Sequence, residues 1–124
     1  MELNQYQKQA MTTCMKTSNN WSYMFLNLVG EVGEFASKVA KQIRKGRAGI
    51  GENHLTPTVL FEEWTKEEEE LKKEAGDILW QLSGVCSVMG WTLGEIAQMN
   101  LDKLAARKRA GTIDGSGDGS IRGQ

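Results

Sequence analysis

Two short acidic stretches, Glu31-Val32-Gly33-Glu34 and Glu74-Ala75-Gly76-Asp77, constrain this chain more than any other feature, because each sits inside an apolar pattern of helical period. A step of three residues on an α-helix leaves two side chains about 60° apart and one turn apart on the same face. Each stretch is therefore a pair of carboxylates aimed in one direction, and a fold that holds both is built from long helices. On the first, Phe25, Leu28, Val29, Val32, Phe35, Ala36, Val39 and Ile43 form the predicted core arc, flanked by a stripe of Asn27, Glu31, Glu34 and Lys38. A third side carries Gly30, Gly33, Ser37 and Ala40. Mid-helix glycine costs roughly 1 kcal/mol against alanine, so this side is expected to lie against another backbone. On the second, Leu71, Ala75, Ile78, Leu82, Val85 and Met89 form the core arc, and Glu70, Glu74, Asp77 and Gln81 line its flank.

Four carboxylates that face one another repel and hold their protons more tightly unless a counter-charge is present. Oxygen-only donors with room for water suit a hard divalent cation, Mg²⁺ or Mn²⁺. Two readings stand at this point. Either Glu31, Glu34, Glu74 and Asp77 hold a metal, or Glu34 pairs with Lys38, Glu70 and Glu74 lie in solvent, and nothing is bound.

With 124 residues, 40% of them hydrophobic and 25% charged, the chain makes one ordinary domain, thin if its helices form a single layer. Self-association is the expected remedy. A net charge of −1 supplies no field that would hold nucleic acid. Cys14 and Cys86 follow no metal or disulfide pattern and read as reduced thiols on helices. No signal-peptide pattern opens the sequence, and no apolar run approaches the roughly 20 residues of a membrane span, so a cytoplasmic protein with no membrane partner is expected.

In chain order, Leu3, Tyr6, Ala10, Met11 and Cys14 predict a short amphipathic helix over residues 3–16 with Asn4 as candidate cap, broken by Thr17-Ser18-Asn19-Asn20. The second helix spans residues 21–45 and stops at Gly46, with Lys41, Arg44 and Lys45 complementing its negative end. Residues 46–64 read as an irregular stretch with a short helical turn at 59–63, and the sole histidine, His54, falls here as a surface residue. Thr65 with Glu68 is a capping-box pattern that opens the third helix, which runs to Met89 and stops at Gly90; Thr92 with Glu95 repeats the pattern for the fourth. There Leu93, Ile96, Ala97 and Leu104 define a buried face on which Asn100, Lys103 and Arg107 also fall. Polar groups aimed inward need partners, either a triphosphate or a salt bridge from Lys103 or Arg107 to Glu74 or Asp77. Leu79 and Trp80 lie off the core arc and would be exposed in a monomer. After residue 110 the composition collapses into glycine, serine and aspartate, which divides the chain into a domain of residues 1–110 and a flexible tail of 111–124.

Three ordered blocks, Leu28-Val29-Gly30-Glu31-Val32-Gly33-Glu34-Phe35, Lys73-Glu74-Ala75-Gly76-Asp77-Ile78-Leu79-Trp80 and Asn100-Leu101-Asp102-Lys103-Leu104 with Arg107, resemble the MazG-like all-α nucleoside triphosphate pyrophosphohydrolases. Many members carry a Glu where Gly30 stands, which implies one fewer outer acid here. The resemblance implies an all-α, four-helix bundle completed by oligomerisation, as a homodimer or homotetramer. It implies Mg²⁺-dependent hydrolysis of a nucleoside triphosphate, more readily a deoxynucleotide, to the monophosphate and pyrophosphate by water attack on the α-phosphorus. Glu31, Glu34, Glu74 and Asp77 would be the metal-binding and catalytic residues. Asn100, Lys103 and Arg107 would meet the substrate; Lys38, one turn beyond Glu34, lies within reach of metal-borne phosphates, and Trp21 with Tyr23 would either offer a stacking surface or pack in the core or an interface. The alternatives are a related nucleotide substrate such as a phosphoribosyl-ATP, and a non-enzymatic helical oligomer whose acids are structural.

Overall fold

The computed structural model describes residues 1–51 and 55–111. His54 and the tail from residue 112 onward lie outside the described residues. In order, the elements are α1 (Leu3–Met11), a 3-10 turn (Lys16–Ser18), α2 (Trp21–Arg44), β1 (Ala48–Ile50), β2 (Leu55–Pro57), α3 (Phe61–Val88) and α4 (Leu93–Arg109). The class is all-α as expected, with one small addition. The stretch expected to be irregular contains an antiparallel hairpin in which Ala48, Gly49 and Ile50 pair with Pro57, Thr56 and Leu55.

The long antiparallel pair α2 and α3 is the spine of the molecule, and α1 packs across α3 and α4. Its ends are set by local chemistry. Asn20 caps α2 by accepting from the Tyr23 N–H at 2.8 Å. At the other end Gly46 takes φ 72°. The Arg47 N–H then reaches the Gln42 carbonyl at 2.9 Å and the Gly46 N–H that of Ile43 at 3.0 Å, a Schellman closure. Gly90 repeats it at φ 76°, with the Trp91 N–H 2.8 Å from the Cys86 carbonyl.

The start of α3 differs from expectation. It opens four residues before Thr65, at Phe61, with Glu62 and Glu63 favouring the positive end of the helix dipole. Thr65 does not cap. Its hydroxyl donates to the Phe61 carbonyl at 2.8 Å, the back-bond available to a threonine inside a helix. The Thr92–Glu95 box at α4 is present in full. The first helix is also shorter than its periodicity suggests. Asn4 does not cap α1 but accepts from the Gly94 N–H at 2.7 Å, while Gln7 Oε1 accepts from the Leu93 N–H at 2.8 Å. With Thr92 Oγ1 accepting from Glu95, the first three N–H groups of α4 are satisfied, two of them from α1.

The core is centred off the predicted arcs. Met24 is fully buried, and a methyl on Gly84 would run into its sulfur, so this glycine admits the side chain where α2 crosses α3. Burial of such a side chain stabilises by about 1.5–3 kcal/mol. Beside it Gln81, Ser83 and Cys86 are buried, whereas Phe25, Val29, Val32, Ile43, Leu82 and Met89 of the predicted arcs are exposed. Gly33 has nothing within 4 Å of where its Cβ would be, so the expected close backbone is not supplied by the described residues of this chain. Trp80 is corrected in the opposite sense. It is half-buried, and its indole N–H donates to the Ala10 carbonyl at 3.1 Å and to Thr13 Oγ1 at 2.9 Å, which seats the end of α1 on α3. Leu79 is exposed as expected.

Candidate metal and nucleotide site

The antiparallel α2–α3 pair brings the two acidic stretches to the same level. Glu31, Glu74 and Asp77 each offer a carboxylate oxygen within 4.8 Å of the other two. Glu31 and Glu74 are half-buried and Asp77 is exposed. A run of amides holds the inner side. Asn27 lies one turn before Glu31, and its Nδ2 donates to Glu31 Oε2 at 3.3 Å and to Gln81 Oε1 at 2.8 Å. Gln81 Nε2 in turn donates to the Met24 carbonyl at 3.3 Å, inside the core. The backbone of α2 thus fixes the amide of Gln81, which orients Asn27, which supports Glu31.

Across the cleft Lys38 Nζ lies 3.1 Å from Glu74 Oε2. The lysine holds its proton more tightly than usual because it donates to Glu74 and feels that charge. Burial raises the pKa of Glu31, with the Asp77 charge adding to it, Asn27 pulling it down and Glu74 and Glu34 contributing further in the upward direction. These are the marks of carboxylates crowded together, with Lys38 paired to one of them. The donor set, all carboxylate oxygen with an exposed edge, fits a hard divalent ion. Tyr6, on the amphipathic face of α1, has its phenol pushed up by burial and by the charge of Asp77.

The remaining predicted site residues separate. Glu34 is exposed, one turn beyond Glu31, and lines a groove of about 330 Å³ together with Lys38, Lys41 and Arg44. Glu70, the next acid on the stripe of α3, lines the same groove and pairs with Lys73 at 3.0 Å. Trp21 lies at the start of α2, exposed, and stacks on Phe25 with ring centroids 4.8 Å apart and planes 9° from parallel. Asn100 and Lys103 are exposed rather than buried. They line a separate recess on α4 with Ile96, Met99, Asp102 and Ala106. The reason is the clamp of α4 onto α1, which leaves this face of α4 without a covering helix among the described residues. Arg107 is half-buried on the same helix.

One group was missed. Gln42, one turn beyond Lys38 on the same stripe, is buried in the groove wall and donates through Nε2 to Glu67 Oε2 at 2.7 Å, while Arg47 Nη1 donates to Glu67 Oε1 at 3.2 Å. The spacing of residues 27, 31, 34, 38 and 42 carried the signal, because Gln42 continues the polar stripe at helical period.

Among the described residues, no helix is long and apolar enough to cross a membrane. No solved structure gives a significant match. Gene 37 protein of Mycobacterium phage L5 is 34% identical over 97 residues, covering 78% of this chain and 74% of the phage protein. The family model of the MazG nucleotide pyrophosphohydrolase domain matches residues 20–112, which span both acidic stretches and the Asn100–Lys103 block. The chain belongs to the MazG nucleotide pyrophosphohydrolase family.

Proposed function

We propose that the protein hydrolyses a nucleoside triphosphate, a deoxynucleotide in preference, between the α- and β-phosphates to give the monophosphate and pyrophosphate, and so acts on the dNTP pool of a cytoplasmic compartment. The observation that carries this reading is the convergence of Glu31, Glu74 and Asp77 across two helices, with like-charge crowding that a cation would relieve. These three would hold Mg²⁺ or Mn²⁺, with Glu34 at the outer edge. A divalent ion there supplies neutralisation of phosphate charge and acidification of an attacking water.

The chain's own groups do the positioning. Asn27, fixed by Gln81, keeps Glu31 turned toward the cleft. Lys38 faces the groove from the rim of the cluster, where its ammonium can leave Glu74 for a phosphate oxygen as the carboxylate turns to a cation. Trp21 and Phe25 present a stacked aromatic pair for the nucleoside or for a second subunit. Asn100, Lys103 and Arg107 are assigned to the substrate on the motif alone, and their place on α4 suits a cleft completed by a second copy, in a homodimer or homotetramer.

Incubation with each of the common nucleoside triphosphates and Mg²⁺, with products resolved, is the direct test. Pyrophosphate with the matching monophosphate supports the reading. Orthophosphate alone, or turnover of a phosphoribosyl-ATP in its place, points to a different substrate. No turnover of any nucleotide leaves the acids structural.

A further inference from the structure

The groove beside the acidic cluster contains an atom that the fold leaves unsatisfied. Gln42 is 4% exposed, and its Oε1 is a buried acceptor with no hydrogen-bond partner among the described residues. Its orientation is forced. Glu67 accepts from Nε2 at 2.7 Å, and a carboxylate accepts only, so the amide cannot turn its oxygen to that side. Arg47 braces Glu67 from behind at 3.2 Å. A buried acceptor without a donor is costly, so the group calls for a partner from outside the chain, a water, an ion or a ligand.

The rest of the groove narrows the chemistry. Glu67 and Glu70 place acceptors on the α3 wall beside Gln42, while Lys38, Lys41 and Arg44 place cationic donors on the α2 wall. Glu67 precedes Glu74 by seven residues on α3, about 10 Å along the axis. That is the span from the α-phosphate of a nucleotide to the far edge of its base.

We infer that this groove receives the nucleobase, and that Gln42 Oε1 with Glu67 selects a base carrying an exocyclic amino group over one carrying a carbonyl at the same position. The inference rests on the nucleotide reading given above and adds the base class to it. An amino group donates twice, once to Gln42 and once to a carboxylate. A carbonyl in its place would set lone pair against lone pair and leave Gln42 unpaired.

Cytosine and uracil differ in this respect at ring position 4, so deoxycytidine and deoxyuridine, titrated into the full chain and followed by amide chemical shifts, isolate the base without any need for metal or turnover. Deoxycytidine is expected to bind at least about tenfold tighter. The preference is expected to collapse to within about twofold in Gln42→Leu, which removes the acceptor. It should collapse likewise in Glu67→Gln, whose amide supplies Gln42 with an internal donor and leaves no cavity, should the leucine variant fold poorly. Equal affinities in the parent chain, no binding of either nucleoside, or a preference that survives in both variants overturns the inference. Pyrophosphate release from dCTP and dUTP, measured on the same samples with Mg²⁺, judges the enzymatic reading separately.

Discussion

Lys38 Nζ and Glu74 Oε2 lie 3.1 Å apart across the α2–α3 cleft, with the glutamate side chain 14% exposed and the lysine 38%. The sequence offered Lys38 two fates, a pair with Glu34 on its own helix or a contact with substrate. The structure joins it instead to the other helix. The lysine pairs with one member of the acidic cluster, so a metal drawn to Glu74 would compete with it.

That relationship predicts opposite effects with and without metal. Lys38→Met removes the positive charge from three crowded acids, so the metal-free protein should melt at a lower temperature than the parent. The rise in melting temperature on adding Mg²⁺ should grow, because the ion no longer competes with an ammonium. Differential scanning fluorimetry with and without Mg²⁺ reads both. An unchanged Mg²⁺ shift would mean that the ion, if bound, does not use Glu74.

Asp77 separates a metal ligand from a structural acid. Asp77→Asn preserves shape and removes one anionic donor, so pyrophosphate release should fall by at least about a hundredfold. Metal-free melting should stay the same or rise, since a repelling charge has gone. A variant that is destabilised without metal yet retains turnover would remove Asp77 from the metal site.

Glu31 gives a pH dependence whose sign is set by its raised pKa. In the window between the ordinary glutamate value and the raised folded value, the folded state binds more protons than the unfolded, so this group's contribution to stability increases as pH falls through the window and is lost as pH rises. Metal binding runs the other way, because the ion must displace that proton. Metal-free melting curves of the parent and of Glu31→Gln between neutral and mildly acidic pH should therefore converge as the pH falls. Parallel curves would show that Glu31 titrates normally.

Gln7 tests the clamp between α1 and α4. Its amide donates to Ser87 Oγ and to the Trp91 carbonyl, each at 3.0 Å, and accepts from the Leu93 N–H at 2.8 Å, all from a side chain 8% exposed. Gln7→Leu leaves that N–H and that carbonyl without partners, at a cost of about 1–3 kcal/mol. Urea denaturation should show the loss, and amide hydrogen exchange should rise first at the start of α4.

Periodicity, caps and the acidic spacing were local properties, and they were legible. The two long helices, their glycine stops at Gly46 and Gly90, the Thr92 box and the three-residue steps from Glu31 to Glu34 and from Glu74 to Asp77 follow from residues a few positions apart, whereas the meeting of Glu31 with Glu74 and Asp77 needs the antiparallel α2–α3 pair. Thr65 was misread because a threonine followed by a glutamate satisfies the capping pattern whether or not the helix has already begun. What the chain alone did not decide was which side of each helix meets the other. The arcs that include Val29 and Val32 are apolar at helical period, yet the seam runs through Met24 and Gly84, because a long side chain fits only where the facing helix has no Cβ. That rotation puts Asn27 and Gln81 into contact, turns Gln42 into the groove wall and leaves the apolar face of α2 outward. Side-chain spacing sets the available faces of a helix, whereas the choice among them is made by shape complementarity between elements far apart in the chain.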